Sequence, residues 1–193
     1  MSADMSGPAR LSRRRVVLLA PLGLAVAAGT GFYAMLTNMG TGEFDPHDVH
    51  APVLNRPIPQ FDLPSQAPGQ GFSSQLLSAQ TQPVLVNFFA SWCIPCVLEA
   101  QTLVSVASLV PIWGVAYKDA SANAAGFVRR TSAPYAKLAA DRSGLTAIDW
   151  GVTGVPESFL IAPGGIIRWH VAGPLTADLI HTGLRPALAS LHR

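Results

Sequence analysis

The chain contains two cysteines, Cys93 and Cys96, in the run Trp92-Cys93-Ile94-Pro95-Cys96. Two thiols at this spacing can close a disulfide, reopen it, and exchange two electrons with another disulfide. Other uses of paired cysteines fit less well. A structural staple closes a long loop in a domain short of core. This pair closes a minimal loop in a 193-residue chain that is 49% hydrophobic. A structural zinc site takes four ligands, and neither a second cysteine pair nor a histidine cluster is present. The spacing points to a redox-active dithiol.

The flanking sequence says how such a pair would be held. Val84 to Phe89 is a short apolar run, as expected of a central strand buried on both faces. Cys93 to Ser108 then has helical spacing, with Cys96, Ala100, Leu103, Val104 and Ala107 expected on one face. Cys93 falls at the helix N-cap, where backbone N–H groups and the helix dipole favour an anion. Its thiolate is expected to be stabilised and exposed. Cys96 lies one turn in, on the apolar face, and is expected to be shielded and to resolve the mixed disulfide. Pro95 suits the first turn, where a missing N–H is no loss. Trp92 either packs beside the turn or presents a surface to substrate.

Further elements follow. Pro111 to Tyr117 reads as a strand and Ala122 to Thr131 as a helix. Ser158 to Ile161 and Ile166 to Val171 read as strands joined by Ala162-Pro163-Gly164-Gly165. Thr176 can cap a last helix, which Pro186 should kink or break. With a segment near Phe61-Asp62-Leu63 in front, the order is β-α-β-α-β-β-α. That predicts an α/β domain with a mostly parallel sheet and an antiparallel edge.

Charged residues are only 12% of the chain, about half the usual share. Arg10, Arg13, Arg14 and Arg15 stand against Asp4 in residues 1–36, and the rest holds nine Lys/Arg against ten Asp/Glu. With no basic patch beyond the N-terminus, nucleic acid is not an expected partner. Val16 to Leu36 is an uncharged run of 21 residues, long enough to cross a hydrocarbon layer of about 30 Å. The arginines before it favour a cytoplasmic N-terminus. The organisation expected is therefore a basic tail (1–15), a transmembrane signal anchor (16–36), a Gly/Pro-rich linker (37–53) and an exported domain (54–193). A cleaved signal peptide ending near Ala25-Val26-Ala27, or a twin-arginine export signal, is the alternative. His47 and His50 in the linker read as part of a solvated tether rather than a metal site.

Val84 to Cys96 resembles the active site of the thioredoxin superfamily. Three further stretches resemble the CcmG/DsbE family, membrane-anchored thiol–disulfide proteins of cytochrome c maturation. They are Gly114-Val115-Ala116-Tyr117-Lys118-Asp119, Pro134-Tyr135, and Trp150-Gly151-Val152-Thr153-Gly154-Val155-Pro156-Glu157-Ser158-Phe159-Leu160. Gly165-Ile166-Ile167-Arg168 and Ala172-Gly173-Pro174-Leu175 continue the likeness.

The resemblance implies a thioredoxin fold, a central mixed sheet flanked by helices, in the periplasm at the bacterial inner membrane. It implies reduction of the Cys-x-x-Cys-His motif of apocytochrome c by Cys93 and Cys96. Electrons would come from a membrane thiol transporter of the DsbD/CcdA type, beside other cytochrome c maturation proteins. The protein would act as a monomer with no cofactor beyond the Cys93–Cys96 disulfide. Pro156 matches a cis-proline facing the active site, which would leave the Val155 backbone free to pair with an extended substrate. Glu99 and Glu157 match acidic positions expected to line the substrate groove or tune the dithiol pKa, together with Trp92 and Pro95. Their alternative is a solvated surface carboxylate. Asn87 stands where thioredoxin has a buried acid, and Asn cannot exchange a proton at neutral pH. Proton handling for Cys96 would then fall to water, Glu157 or Glu99. Two other functions remain open: general periplasmic thiol–disulfide interchange, and non-catalytic escort of apocytochrome or haem.

Overall fold

The computed structural model describes residues 21, 23–34, 53–65 and 71–191. The chain divides into two compact units, Met1–Asp48 and Val49–Arg193. In the first, residues 21 and 23–34 are helical; they belong to the expected span 16–36, whose other residues lie outside those described. No helix among the described residues is long and apolar enough to cross a membrane. The basic tail and nearly all of the linker also lie outside the described residues.

In the second unit, β1 (Asp62–Leu63) and β2 (Phe72–Ser73) form a small antiparallel pair, followed by α1 (Ser74–Ser78). The main elements are β3 (Val84–Phe89), α2 (Ile94–Val106), β4 (Ile112–Tyr117), α3 (Ser121–Thr131) and β5 (Tyr135–Asp141). Then come α4 (Leu145–Asp149), β6 (Glu157–Ala162), β7 (Ile166–Ala172), α5 (Ala177–Leu179), a π-turn (Ile180–Leu184) and α6 (Arg185–Leu191). The sheet order is β5-β4-β3-β6-β7. β3 pairs in parallel with β4, and β4 with β5; β3–β6 and β6–β7 are antiparallel. The sheet is thus evenly mixed rather than mostly parallel.

β3 is central, and all six of its residues are buried. This is why it reads as a nearly continuous apolar run, with Asn87 the one polar residue in it. Side chains alternate across the sheet. Leu85 and Leu160 pack with Leu103 and Val106 of α2 and with Leu184 and Leu188 on one side. Val86, Phe88 and Phe159 pack with Ala147 and Trp150 on the other. Each fully buried Leu or Phe side chain contributes about 1.5–3 kcal/mol relative to exposure.

Three expectations need correction. The buried stripe of α2 is Cys96, Glu99, Ala100, Leu103 and Val106, whereas Val104 is 47% exposed. At about 100° per residue, Val104 lies about 80° round from Cys96 and off the centre of the stripe. β5 and α4 were not expected. β5 is rich in alanine and weak in β propensity, and its pairing with β4 makes it a strand. α4 is nucleated by Asp141, whose carboxylate accepts the N–H groups of Gly144 (2.9 Å) and Ala147 (2.8 Å). Of the kink or break expected at Pro186, the break is absent: the helix continues, distorted in the turn before it. Pro186 lacks an N–H to close an ordinary turn, and the preceding turn is widened, with the Arg185 N–H donating to the Ile180 carbonyl.

Candidate active site

Cys93 and Cys96 are joined in a disulfide at the N-terminus of α2. Cys93 is the N-cap, and its Sγ accepts the Cys96 N–H at 3.1 Å. That geometry would stabilise a Cys93 thiolate, because an otherwise orphaned helix N–H already points at the sulfur. In this oxidised state the two cysteines are 4% and 2% exposed. The expected contrast between an exposed Cys93 and a shielded Cys96 is therefore absent here. Cys93 Sγ is covered by the Val155 carbonyl oxygen, 3.3 Å away. The Val155–Pro156 bond is cis. Val155 is half-buried and Pro156 buried, while Pro95 is exposed in the first turn of α2. Trp92 (59% exposed) and Ile94 (74%) stand out around the disulfide. Val97 and Leu98, further along α2, are also exposed.

Behind the disulfide lies a buried polar cluster. Glu99 follows Cys96 by one turn of α2 and is 2% exposed. Its Oε1 accepts the Leu175 N–H (2.9 Å), and its Oε2 lies 3.4 Å from Asn87 Nδ2. Burial pushes the Glu99 carboxyl up to about 7, and the bonds from Leu175 and Asn87 only partly offset that. Asn87 Nδ2 also donates to Ser158 Oγ (3.0 Å), and Asn87 Oδ1 accepts the Tyr135 hydroxyl (2.7 Å). A carboxyl raised to about 7, one turn along α2 from Cys96, can gain or lose a proton near neutral pH.

Glu157 is placed differently from the groove-lining position expected of it. It is 1% exposed, and alternation along β6 puts it with Phe159 on the sheet face away from α2. Its Oε1 accepts the Thr153 N–H (3.0 Å) and the Thr153 hydroxyl (2.6 Å). His170 Nε2 lies 3.5 Å from Oε2, and its ring rests on Phe159 at 4.4 Å. The carboxylate thus holds the Thr153–Pro156 loop, which carries the carbonyl against Cys93.

Sequence reasoning gave no role to Asp119, Ser91, Tyr135, Ser158 or His170. Asp119, 6% exposed, accepts the Ser91 N–H (2.6 Å) and the Ser91 hydroxyl (3.0 Å). It clamps the loop before Cys93 as Glu157 clamps the one facing it. The signal for Asp119 was an acid two residues past the end of a buried parallel strand, where functional residues of such sheets gather.

The AhpC/TSA family model matches residues 54–170. The chain is 35% identical over 176 residues to the thiol:disulfide interchange protein HelX of Rhodobacter capsulatus, covering 90% of this chain and 96% of that protein. It is 34% identical over 175 residues to the thiol:disulfide interchange protein DsbE of Escherichia coli, covering 90% and 94%. A crystal structure described as a DsbE from Chlorobium tepidum superposes with a TM-score of 0.58 at 23% identity, covering 70% of this chain and 94% of that one. That likeness gives the fold, the thioredoxin-like mixed sheet. At these identities, over nine-tenths of its length, the chain belongs to the DsbE/HelX thiol:disulfide interchange proteins of the AhpC/TSA family and is a thiol–disulfide oxidoreductase.

Proposed function

We propose that this protein reduces the Cys-x-x-Cys-His disulfide of apocytochrome c, in the periplasm, tethered to the bacterial inner membrane by Val16–Leu36. The observation that supports it most is the Cys93–Cys96 pair set against the Val155 carbonyl, in a chain aligned with DsbE and HelX over nine-tenths of its length. An extended peptide can pair with the Val155 backbone and lay its sulfur beside Cys93. The exposed Trp92 and Ile94, next to the cysteines in the chain, suit a peptide carrying few charges near its own cysteines.

The reaction begins with the reduced pair. The Cys93 thiolate attacks one substrate sulfur; a Cys93–substrate disulfide forms, and the other substrate cysteine leaves as a thiolate and is protonated. Glu99 takes the Cys96 proton, and the Cys96 thiolate attacks Cys93 Sγ. The mixed disulfide breaks, the second substrate thiol is released and protonated, and Cys93–Cys96 is left oxidised. The chemistry uses no cofactor besides this disulfide. A membrane thiol transporter of the DsbD/CcdA type then reduces the pair by the reverse exchange.

The test is trapping with an oxidised Cys-x-x-Cys-His peptide, read by non-reducing mass spectrometry. Cys96→Ser should accumulate a covalent complex through Cys93, and Cys93→Ser should accumulate little. A complex formed mainly through Cys96 reverses the roles. No complex with this peptide, beside ready trapping of unrelated disulfides, replaces the cytochrome-specific reading with general interchange.

A further inference from the structure

Asn87 is fully buried, and its amide can be seated in two ways with nearly the same shape. In one, Nδ2 faces Glu99; in the other, Oδ1 does. Ser158 does not discriminate, because a hydroxyl either accepts or donates. Tyr135 does discriminate. Its hydroxyl donates to Oδ1 at 2.7 Å, while Nδ2 points to Ser158 Oγ (3.0 Å) and Glu99 Oε2 (3.4 Å). Turning the amide over would let the Tyr135 oxygen accept from Nδ2, but it would take from the Tyr135 proton the acceptor it has in Oδ1 and aim a carbonyl oxygen at a carboxylate. The ring of Tyr135 is fixed by stacking on Phe89, centroids 4.9 Å apart. Burial, and then the Glu99 charge, push the Tyr135 hydroxyl well above its ordinary value, so it remains a donor throughout the working range of pH.

We propose that Tyr135 is a positioning residue of the thiol–disulfide reaction: by donating to Asn87 Oδ1 it holds a hydrogen-bond donor, not an acceptor, against the Glu99 carboxylate, and so keeps that carboxyl able to receive the Cys96 proton. This rests on the reading of Glu99 as the proton acceptor in the resolving step. The proton goes from Cys96 Sγ to Glu99, the Cys96–Cys93 bond forms, and the bond from Cys93 to the substrate sulfur breaks with its electron pair. An amide turned the other way would hydrogen-bond the protonated acid and leave Cys96 to ionise unaided. The titratable groups around Glu99 are Tyr135 on β5 and Cys96 one turn earlier on α2. β3 and β6 contribute the neutral Asn87 and Ser158, and the chain at Leu175 a backbone N–H. Glu157 and His170 lie on the opposite face of the sheet.

The resolving step can be watched in the full-length protein in detergent. The reduced protein is mixed with an aromatic disulfide whose released thiolate absorbs light. The first release reports attack by Cys93, the second attack by Cys96. In the wild type the second phase should rise with pH through a midpoint near neutrality. Tyr135→Phe should move that midpoint up by about one unit and slow the second phase about tenfold below it, with the first phase unchanged. An unchanged midpoint in Tyr135→Phe, in a protein whose Glu99→Gln variant has lost the midpoint, overturns the positioning role and spares that of Glu99. A midpoint that survives Glu99→Gln removes the Glu99 reading, and this proposal with it. A second measurement needs no variant: the Asn87 side-chain ¹⁵N resonance of the wild type should shift as Glu99 titrates, and a resonance blind to that titration also overturns the proposal.

Discussion

Glu99 and Glu157 are buried to the same degree, 2% and 1% exposed, and sit on opposite faces of one sheet. Their surroundings differ in the supply of donors. Glu157 receives two close donors from a single residue, Thr153, on one oxygen. Glu99 receives one close backbone N–H and one long side-chain contact. Burying a charge is costly unless hydrogen bonds replace the water. The better-served carboxylate is suited to fix a loop, and the poorly served one to change its protonation. Depth alone does not sort buried acids into structural and chemical ones; the number and reach of their donors does.

The largest difference between the two faces should appear on truncation. Glu157→Ala removes the acceptor for two Thr153 donors and opens a cavity next to Phe159 and His170. It should destabilise the oxidised protein by about 3–4 kcal/mol, read by chemical denaturation. It should also slow peptide trapping, because the Val155 carbonyl loses its support. If Glu157→Ala is no less stable than Glu157→Gln, the carboxylate is not the clamp described here.

Glu99 should behave in the opposite sense. Its folded-state value is raised, from 4.5 to about 7. Its contribution is therefore fully present below about pH 4.5 and is lost as pH rises through about 7. At 1.36 kcal/mol per unit the loss is about 3 kcal/mol. The stability difference between wild type and Glu99→Gln should move in favour of the variant by that order across this window and level off above it. A difference that is flat with pH would mean that Glu99 titrates at its ordinary value, and the comparison with Glu157 would lose its chemical half.

How far the sequence foretold this site depends on the range of the interactions. Cys93 as N-cap, Pro95 in the first turn and β3 as a buried strand all follow from residues a few positions apart, and the structure has each of them. The Tyr135–Asn87 bond joins residues 48 apart, and Asn87–Ser158 joins residues 71 apart. Both depend on the order β5-β4-β3-β6 and on register, and β5 itself was invisible because Ala-rich segments have no strand pattern. The face taken by Glu157 was half legible. Period-two alternation separates it from Ser158, but which side faces α2 follows only from Ser158 lying opposite Asn87. The Gly151–Phe159 motif placed the cis-proline loop and left open what Glu157 does within it.

The smallest expected effect concerns the other loop at the dithiol. Asp119 holds Ser91 through its N–H at 2.6 Å and its hydroxyl at 3.0 Å. Ser91→Ala deletes the hydroxyl bond and keeps the backbone one, so the turn before Cys93 retains its main restraint. The cost should be about 1 kcal/mol, and the rate of attack by Cys93 should change less than about twofold, under 0.5 kcal/mol in barrier height. Asp119→Ala removes both bonds and leaves the Ser91 N–H unpaired, which should cost about 2–3 kcal/mol. The two variants together ask whether the loops on either side of the disulfide are held alike, each by one carboxylate taking a backbone and a hydroxyl donor from one residue. Equal losses for Ser91→Ala and Asp119→Ala would mean that the hydroxyl carries the restraint. The symmetry with Glu157 and Thr153 would then be one of appearance only.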